Sequence, residues 1–301
     1  MRHQELIKQM TLEEKAAFLT GKNEWASRGY EHLGIKSITF ADGPSGVRRQ
    51  RGEGDHLGLN PSVPATCFPS SSTLANSWNE DLEERVGQAL GEEAALEGVH
   101  VLLAPGLNIK RNPLCGRNFE YFSEDPYLTG KMAAAMIRGI QKAGVSACAK
   151  HFAVNSQEER RMALNVVLDE RTLREIYLTG FEIAVKEGKP GAVMSAYNAV
   201  NGQYANENPF LLQQILRKEW GFQGFVVTDW GGGNDFTEGV RNGSNLQMPG
   251  CGLDSAGELL QAVTDHRITE QEVDERVEEL LKAAFTYPES SKETKRKLEG
   301  Q

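Results

Sequence analysis

Short apolar runs alternate with amphipathic stretches along this chain, the rhythm of a parallel α/β fold. Five runs read as buried strands: 38–41 (ITFA), 99–104 (VHVLLA), 145–149 (VSACA), 192–196 (AVMSA) and 225–228 (FVVT). Each is short, rich in small or β-branched residues and apolar on both faces, as a strand covered on both sides must be. A weaker sixth spans 245–248 (NLQM). The helices between them carry clear end signals. Thr11 with Glu14, and Thr269 with Glu272, have capping-box spacing, in which each side chain satisfies an otherwise unpaired backbone donor. Asn208-Pro209 sets an N-cap with proline at the first helical position, and Gly221 closes that helix. Asp169 opens a helix whose Leu173, Ile176, Tyr177 and Ala184 are expected to pack on the sheet, and Val273, Val277, Leu280 and Ala284 form a stripe in the last one.

Two segments break the pattern. Residues 43–69 are dense in Gly, Pro, Ser and Arg and too long for a simple connection, so they read as a lid or binding wall. Residues 288–301 are polar and charge-rich and read as a linker or tail. The expected organisation is one α/β domain over 1–287, a (β/α)8 TIM-like barrel, followed by that tail. With six strands readable, an irregular ring is compatible with the pattern.

Composition narrows the function. The 301 residues are 39% hydrophobic and 25% charged, enough for one large core. Lys+Arg 33 against Asp+Glu 42 gives a net charge of -9, which disfavours nucleic acid and anionic membranes as partners. No apolar stretch approaches the roughly 20 residues that span a bilayer. The first residues, MRHQELIKQMTLEEKAAFL, form an amphipathic pattern without a signal-peptide core, so a cytoplasmic location is expected. Cys67, Cys115, Cys148 and Cys251 are scattered, as reduced thiols are. The six histidines lack HxH or HExxH spacing, and Gly231–Gly233 match neither GK[ST] nor GxGxxG, so neither metal nor nucleotide cofactor is expected.

The chemistry gathers just after the strands. ITFA runs into Asp42, VHVLLA leads on to Arg117, VSACA ends in Lys150-His151, AVMSA in Tyr197 and FVVT in Asp229-Trp230. In a parallel barrel these ends open on one face, where barrel active sites sit. Each residue alone has a plain structural explanation. Asp229 could cap the next helix, Lys150 could snorkel to the surface, His151 could be a bonded core histidine, and Tyr197 could fill the core with its hydroxyl on a loop carbonyl. Five apolar strands each delivering a reactive group at the same end exceed what packing alone requires. Carboxylates mixed with cations and amphipathic aromatics suit a neutral polyhydroxylated ligand. Its hydroxyls would donate to Asp42 and accept from Arg117, Lys150 and His151, while an apolar sugar face would stack on Trp230.

The segments FADGPSGVR (40–48), GLNIKRNPLCGRNFEYFSEDP (106–126), KHFAVNSQEERRM (150–162), VMSAYNAVNG (193–202) and GFVVTDWGG (224–232) resemble the N-terminal barrel domain of glycoside hydrolase family 3, most closely its β-glucosidase branch. The resemblance implies a retaining hydrolase of terminal β-D-glucosyl residues with Asp229 as covalent nucleophile. It places sugar ligands on Asp42, Arg117, Lys150, His151 and Arg161, Tyr197 beside the anomeric centre, and Met194 and Trp230 along the site. Lys150 and Arg161 are expected to hold the Asp229 carboxyl low. Retention needs a second carboxyl about 5–5.5 Å from the nucleophile. The resemblance puts that acid/base on a glutamate of a C-terminal domain, and Glu120, Glu124, Glu158 and Glu159 are unconvincing substitutes. The expected partners are therefore a β-glucoside or short oligosaccharide and a C-terminal-domain-like chain that supplies the acid, without which activity is weak. Two alternatives compete: a non-catalytic sugar-binding barrel or truncated product, and a Schiff-base aldolase using Lys150.

Overall fold

The computed structural model describes residues 3–52, 54–250 and 252–286, so the expected tail at 288–301 lies outside the described residues. Five parallel strands form the central sheet: β1 (Phe40–Asp42), β2 (Val101–Leu103), β3 (Ser146–Phe152), β4 (Ala192–Ser195) and β5 (Phe225–Thr228), paired in that order. These are the five apolar runs of the sequence: β5 coincides with its run, β2 and β4 are trimmed, β1 is shifted on to end at Asp42, and β3 reaches three residues further through Lys150 and His151. The weak sixth run is real but reduced to single pairs: Leu246 bridges Val227 in parallel and Gln247 bridges Thr20.

Those pairs go on to close the ring. Gly21 bridges Ser27 and Ala26 bridges Thr39, both antiparallel, which returns the sheet to the start of β1. The circuit thus has eight positions, five strands and the three bridged segments 246–247, 20–21 and 26–27. It is an irregular (β/α)8-type barrel with an antiparallel seam.

Strand parity decides what faces where. Phe40, Val101, Leu103, Cys148, Ala192, Met194, Phe225 and Val227 pack in one apolar cluster with Trp25, Trp230 and the last helices. Ala41, Leu102, Ala147, Ala149, Val193 and Val226 pack in the other, against the Glu80–Leu96 and Pro126–Lys142 helices. Asp42, Lys150 and Asp229 each stand two residues beyond a member of the first set, so they continue its face at the carboxyl end of the strands.

The expected caps form. Thr11 and Glu14 make a reciprocal capping box, Thr269 and Glu272 another, and the Asn208 side chain accepts from the amides of Phe210 and Leu211. The helix opened by Asp169 departs from expectation at Ile176, which is 40% exposed. Its Leu173–Leu178 stretch is a π-helix, and the wider turn rotates the apolar stripe away from 3.6 spacing. The Glu80–Leu96 and Pro126–Lys142 helices approach so closely that a Cβ on Gly139 would overlap the Glu84 carbonyl, and one on Gly87 would lie 2.6 Å from the Met136 carbonyl. On the first of these helices Glu83 is fully buried, and neither carboxyl oxygen has a hydrogen-bond partner. Burial pushes its pKa up to about 8. Among the described residues, no helix is long and apolar enough to cross a membrane.

Candidate active site

A cavity of about 130 Å³ opens at the carboxyl end of the strands. All nine residues singled out in the sequence line it: Asp42, Arg117, Lys150, His151, Arg161, Met194, Tyr197, Asp229 and Trp230. Leu103 and Met194 form its apolar floor, one position up the inward face of β2 and β4. Asp42, Lys150 and Asp229 arrive from β1, β3 and the residue after β5.

Lys150 is 3% exposed, and its Nζ donates to Asp42 Oδ1 at 2.8 Å, with Glu120 Oε2 at 3.7 Å. Burial works against its charge, but the Asp42 and Glu120 carboxylates outweigh it and hold the ammonium above its ordinary value. Burial likewise opposes the Asp42 charge, and Lys150 with Arg117 overcomes it to leave that carboxyl below the ordinary range. A snorkelling lysine is excluded by this placement. The Schiff-base alternative also loses its basis, because an imine-forming lysine needs its pKa depressed rather than raised.

Arg117 is anchored by Glu120, with Nη2 2.8 Å from His151 Nε2 and Nη1 3.8 Å from Asp229 Oδ2. His151 is 1% exposed, with Nδ1 3.2 Å from the Tyr121 hydroxyl and its backbone pinned on both sides by Asn108. Burial, reinforced by the charges of Arg117, Lys150 and Arg161, drives its pKa well below 6.5, so the ring is neutral. The guanidinium has only donors, so Nε2 accepts from it. Its single Nε2 lone pair is thereby taken by Arg117, and Nδ1 faces Tyr121.

Asp229 Oδ1 accepts from the amide of its own neighbour Trp230 at 2.8 Å. Oδ2 is buried without any hydrogen-bond partner, with His151 Nε2 at 3.6 Å. Asp229 does not cap the following helix, since Asp235 does that. Its electrostatics differ from expectation. Arg117, Lys150 and Arg161 do pull the carboxyl down, but burial is the larger influence and leaves the pKa raised. Arg161 itself is committed to Glu158 at 2.7 Å and lies over the Tyr197 ring, 4.5 Å from its centroid. The Tyr197 hydroxyl donates to the Trp230 carbonyl at 2.7 Å, fixing the turn that presents Asp229. Trp230 packs on Trp25 with centroids 5.2 Å apart, and its indole N–H donates to the Glu24 carbonyl.

Four further lining residues were not foreseen: Trp25, Arg48, His56 and Leu103. Arg48 and His56 come from the long 43–69 loop, which does form a wall of the cavity. His56 Nδ1 is held 2.8 Å from Glu24 Oε1. Arg48 sits inside the FADGPSGVR segment, so its motif was a usable signal; Trp25 comes from the antiparallel seam and gave none. The carboxyls Asp42, Glu120, Glu158 and Glu24 around the cavity are each engaged by a base. Chemically, the site offers one unengaged carboxylate oxygen amid fixed positive charge, with donors and acceptors placed for several hydroxyls.

The model of the glycosyl hydrolase family 3 N terminal domain matches residues 55–283. A thermostable β-glucosidase B of Acetivibrio thermocellus is 52% identical over 288 residues, 96% of this chain and 38% of that protein. An exo-α-(1→6)-L-arabinopyranosidase of Bifidobacterium breve is 44% identical over 279 residues, covering 91% and 36%. The structure of β-glucosidase 3B from Thermotoga neapolitana in complex with glucose superposes with a TM-score of 0.91 at 41% identity, covering all of this chain and 45% of the other. The chain thus spans between about a third and just under half of the length of these relatives.

Proposed function

Since the chain belongs to glycosyl hydrolase family 3, we propose that it carries the nucleophile and sugar site of a retaining β-glucosidase acting on terminal β-D-glucosyl residues. The observation that carries this reading is Asp229 Oδ2, buried in the cavity and left without a hydrogen bond. A carboxylate oxygen kept unbonded at the mouth of a barrel is free to form a bond to carbon. In the first half-reaction Oδ2 attacks the anomeric carbon, and the glycosidic bond breaks as the leaving oxygen takes a proton from an acid. Arg117, Lys150 and His151 orient the hydroxyls, and the negative charge of Asp229 stabilises the cationic sugar in the transition state. In the second half-reaction water, deprotonated by the same group, displaces Asp229.

That acid is the open position. With Asp42, Glu120, Glu158 and Glu24 all engaged, we assign it to a carboxyl outside the described residues, on further polypeptide or on a partner chain. Leu57, Leu114, Phe119 and Met162, all exposed on loops that follow the strands, support a covering element over this face. We also retain the cytoplasm as its location, supported by the unpaired thiols of Cys67, Cys115 and Cys148.

A 2-fluoroglucoside with a dinitrophenolate leaving group needs no acid to depart, so it tests the nucleophile in this chain alone. Intact-mass analysis is expected to show one fluoroglucosyl adduct, mapped to Asp229. An adduct elsewhere, or none on folded protein, rejects the assignment. The arabinopyranosidase relative favours a second reading for the sugar. Labelling by the matching 2-fluoro-α-L-arabinopyranoside, which lacks the exocyclic hydroxymethyl group, at a higher rate than by the glucoside would select it.

A further inference from the structure

Three groups that do not line the cavity join two that do. The Tyr121 hydroxyl, on a side chain with no exposure, lies 3.2 Å from His151 Nδ1 and accepts from Asn155 Nδ2 at 3.2 Å. Asn155 Nδ2 also donates to Glu158 Oε1 at 3.2 Å, and Glu158 Oε2 accepts from Arg161 Nη1 at 2.7 Å. A single hydrogen-bonded run therefore connects His151 on one side of the cavity to Arg161 on the other. The T-shaped packing of the Tyr121 and His151 rings, centroids 6.1 Å apart, fixes their relative orientation.

Donor and acceptor counting settles where the imidazole proton sits. Arg117 can only donate, so His151 Nε2, 2.8 Å from its Nη2, is the unprotonated nitrogen. A neutral ring carries one N–H, so Nδ1 holds it and the Tyr121 oxygen receives it. The opposite tautomer would aim an N–H from Nε2 at Asp229 Oδ2, 3.6 Å away, and occupy the lone pair that the nucleophile needs.

We propose that Tyr121 is a positioning residue: its hydroxyl accepts the Nδ1–H and so, together with the Arg117 contact at Nε2, holds His151 in the tautomer that keeps Asp229 Oδ2 unbonded. The role at the nucleophile rests on the glycosidase reading above, whereas the tautomer does not. The Asn155–Glu158–Arg161 arm holds the Tyr121 hydroxyl in place and ties its position to the far wall.

The test reads the ring nitrogens directly, by long-range ¹H–¹⁵N correlation on the ¹⁵N-labelled chain, with His151 assigned by its loss in His151→Gln. In the wild type at pH 7, His151 is expected to show a protonated Nδ1 and an unprotonated Nε2. Tyr121→Phe keeps the ring but leaves the Nδ1–H buried without an acceptor, a cost that offsets the Arg117 contact at Nε2, and a population with the proton on Nε2 is expected to appear. Labelling of Asp229 by the 2-fluoroglucoside is expected to slow roughly tenfold, the scale of one lost buried hydrogen bond. A wild-type ring protonated on Nε2 overturns the proposal without need of any variant, and so does a folded Tyr121→Phe chain with an unmixed Nδ1–H ring. Failure of the wild type to take the label would instead refute the glycosidase reading and leave the tautomer result standing.

Discussion

Replacing Glu83 by Gln should stabilise the chain increasingly as pH rises. Glu83 is fully buried on the Glu80–Leu96 helix with both oxygens unbonded, and burial alone lifts its pKa from 4.5 to about 8. Between those two values the folded chain holds a proton that the unfolded chain has released. Stability must therefore fall as pH increases through this window, with no loss below the unfolded value and no further loss above the folded one. With about 1.4 kcal/mol per unit, the loss is about 1 kcal/mol at pH 5, about 3 kcal/mol at pH 7 and about 5 kcal/mol at pH 9. Glutamine matches the neutral acid in size and in buried polar atoms, so the pH-independent part of the comparison largely cancels. Urea unfolding followed by far-ultraviolet circular dichroism, at one-unit steps from pH 5 to 9, should show Glu83→Gln gaining about 4 kcal/mol relative to wild type across the range. A difference that stays flat would refute the reasoning and mean that Glu83 finds a partner or water in solution.

Two other expectations concern the site and the scaffold. Because burial leaves Asp229 above its ordinary value, the acid limb of the Asp229 labelling rate should fall above pH 3.8; an inactivation rate unchanged down to pH 4 would contradict a protonatable, desolvated nucleophile. Gly139→Ala should cost about 1–3 kcal/mol in thermal or urea unfolding, since its methyl would meet the Glu84 carbonyl of the neighbouring helix; an unchanged midpoint would show that the helices separate freely.

Much of the site was legible because a strand buried on both faces announces itself as a short apolar run, and whatever polar residue follows must sit at its end. Asp42, Lys150 and Asp229 were found that way, and strand parity then turns them inward. Trp25 and His56 were not, because one lies on an antiparallel seam of single bridged pairs and the other on a long loop, and neither has a periodic signature. Thr20-Gly21 and Ala26-Ser27 are too short and too polar to read as barrel positions, so the manner of ring closure was invisible as well. The direction of the Asp229 pKa shift was misjudged for a related reason. Neighbouring cations can be guessed from spacing, but the depth of burial that opposes them cannot. Glu83 was hidden in the same way, one acid beside Glu80 and Asp81 in a helical first turn that reads as solvated.

The antiparallel stitch between Thr20 and Thr39 carries a mechanical consequence. From β1 to β5 the hoop is held by ladders, but from Val227 round to Thr39 each joint is a lone pair of residues, and Trp25 stands within that stretch. Compliance of the hoop is thus concentrated in the very panel that borders the cavity, next to Trp230 and the turn that presents Asp229. The ladder-held arc fixes the cavity-lining groups of β1, β3 and β5 at their distances, while the arc of lone pairs is the one with least backbone bonding to resist displacement.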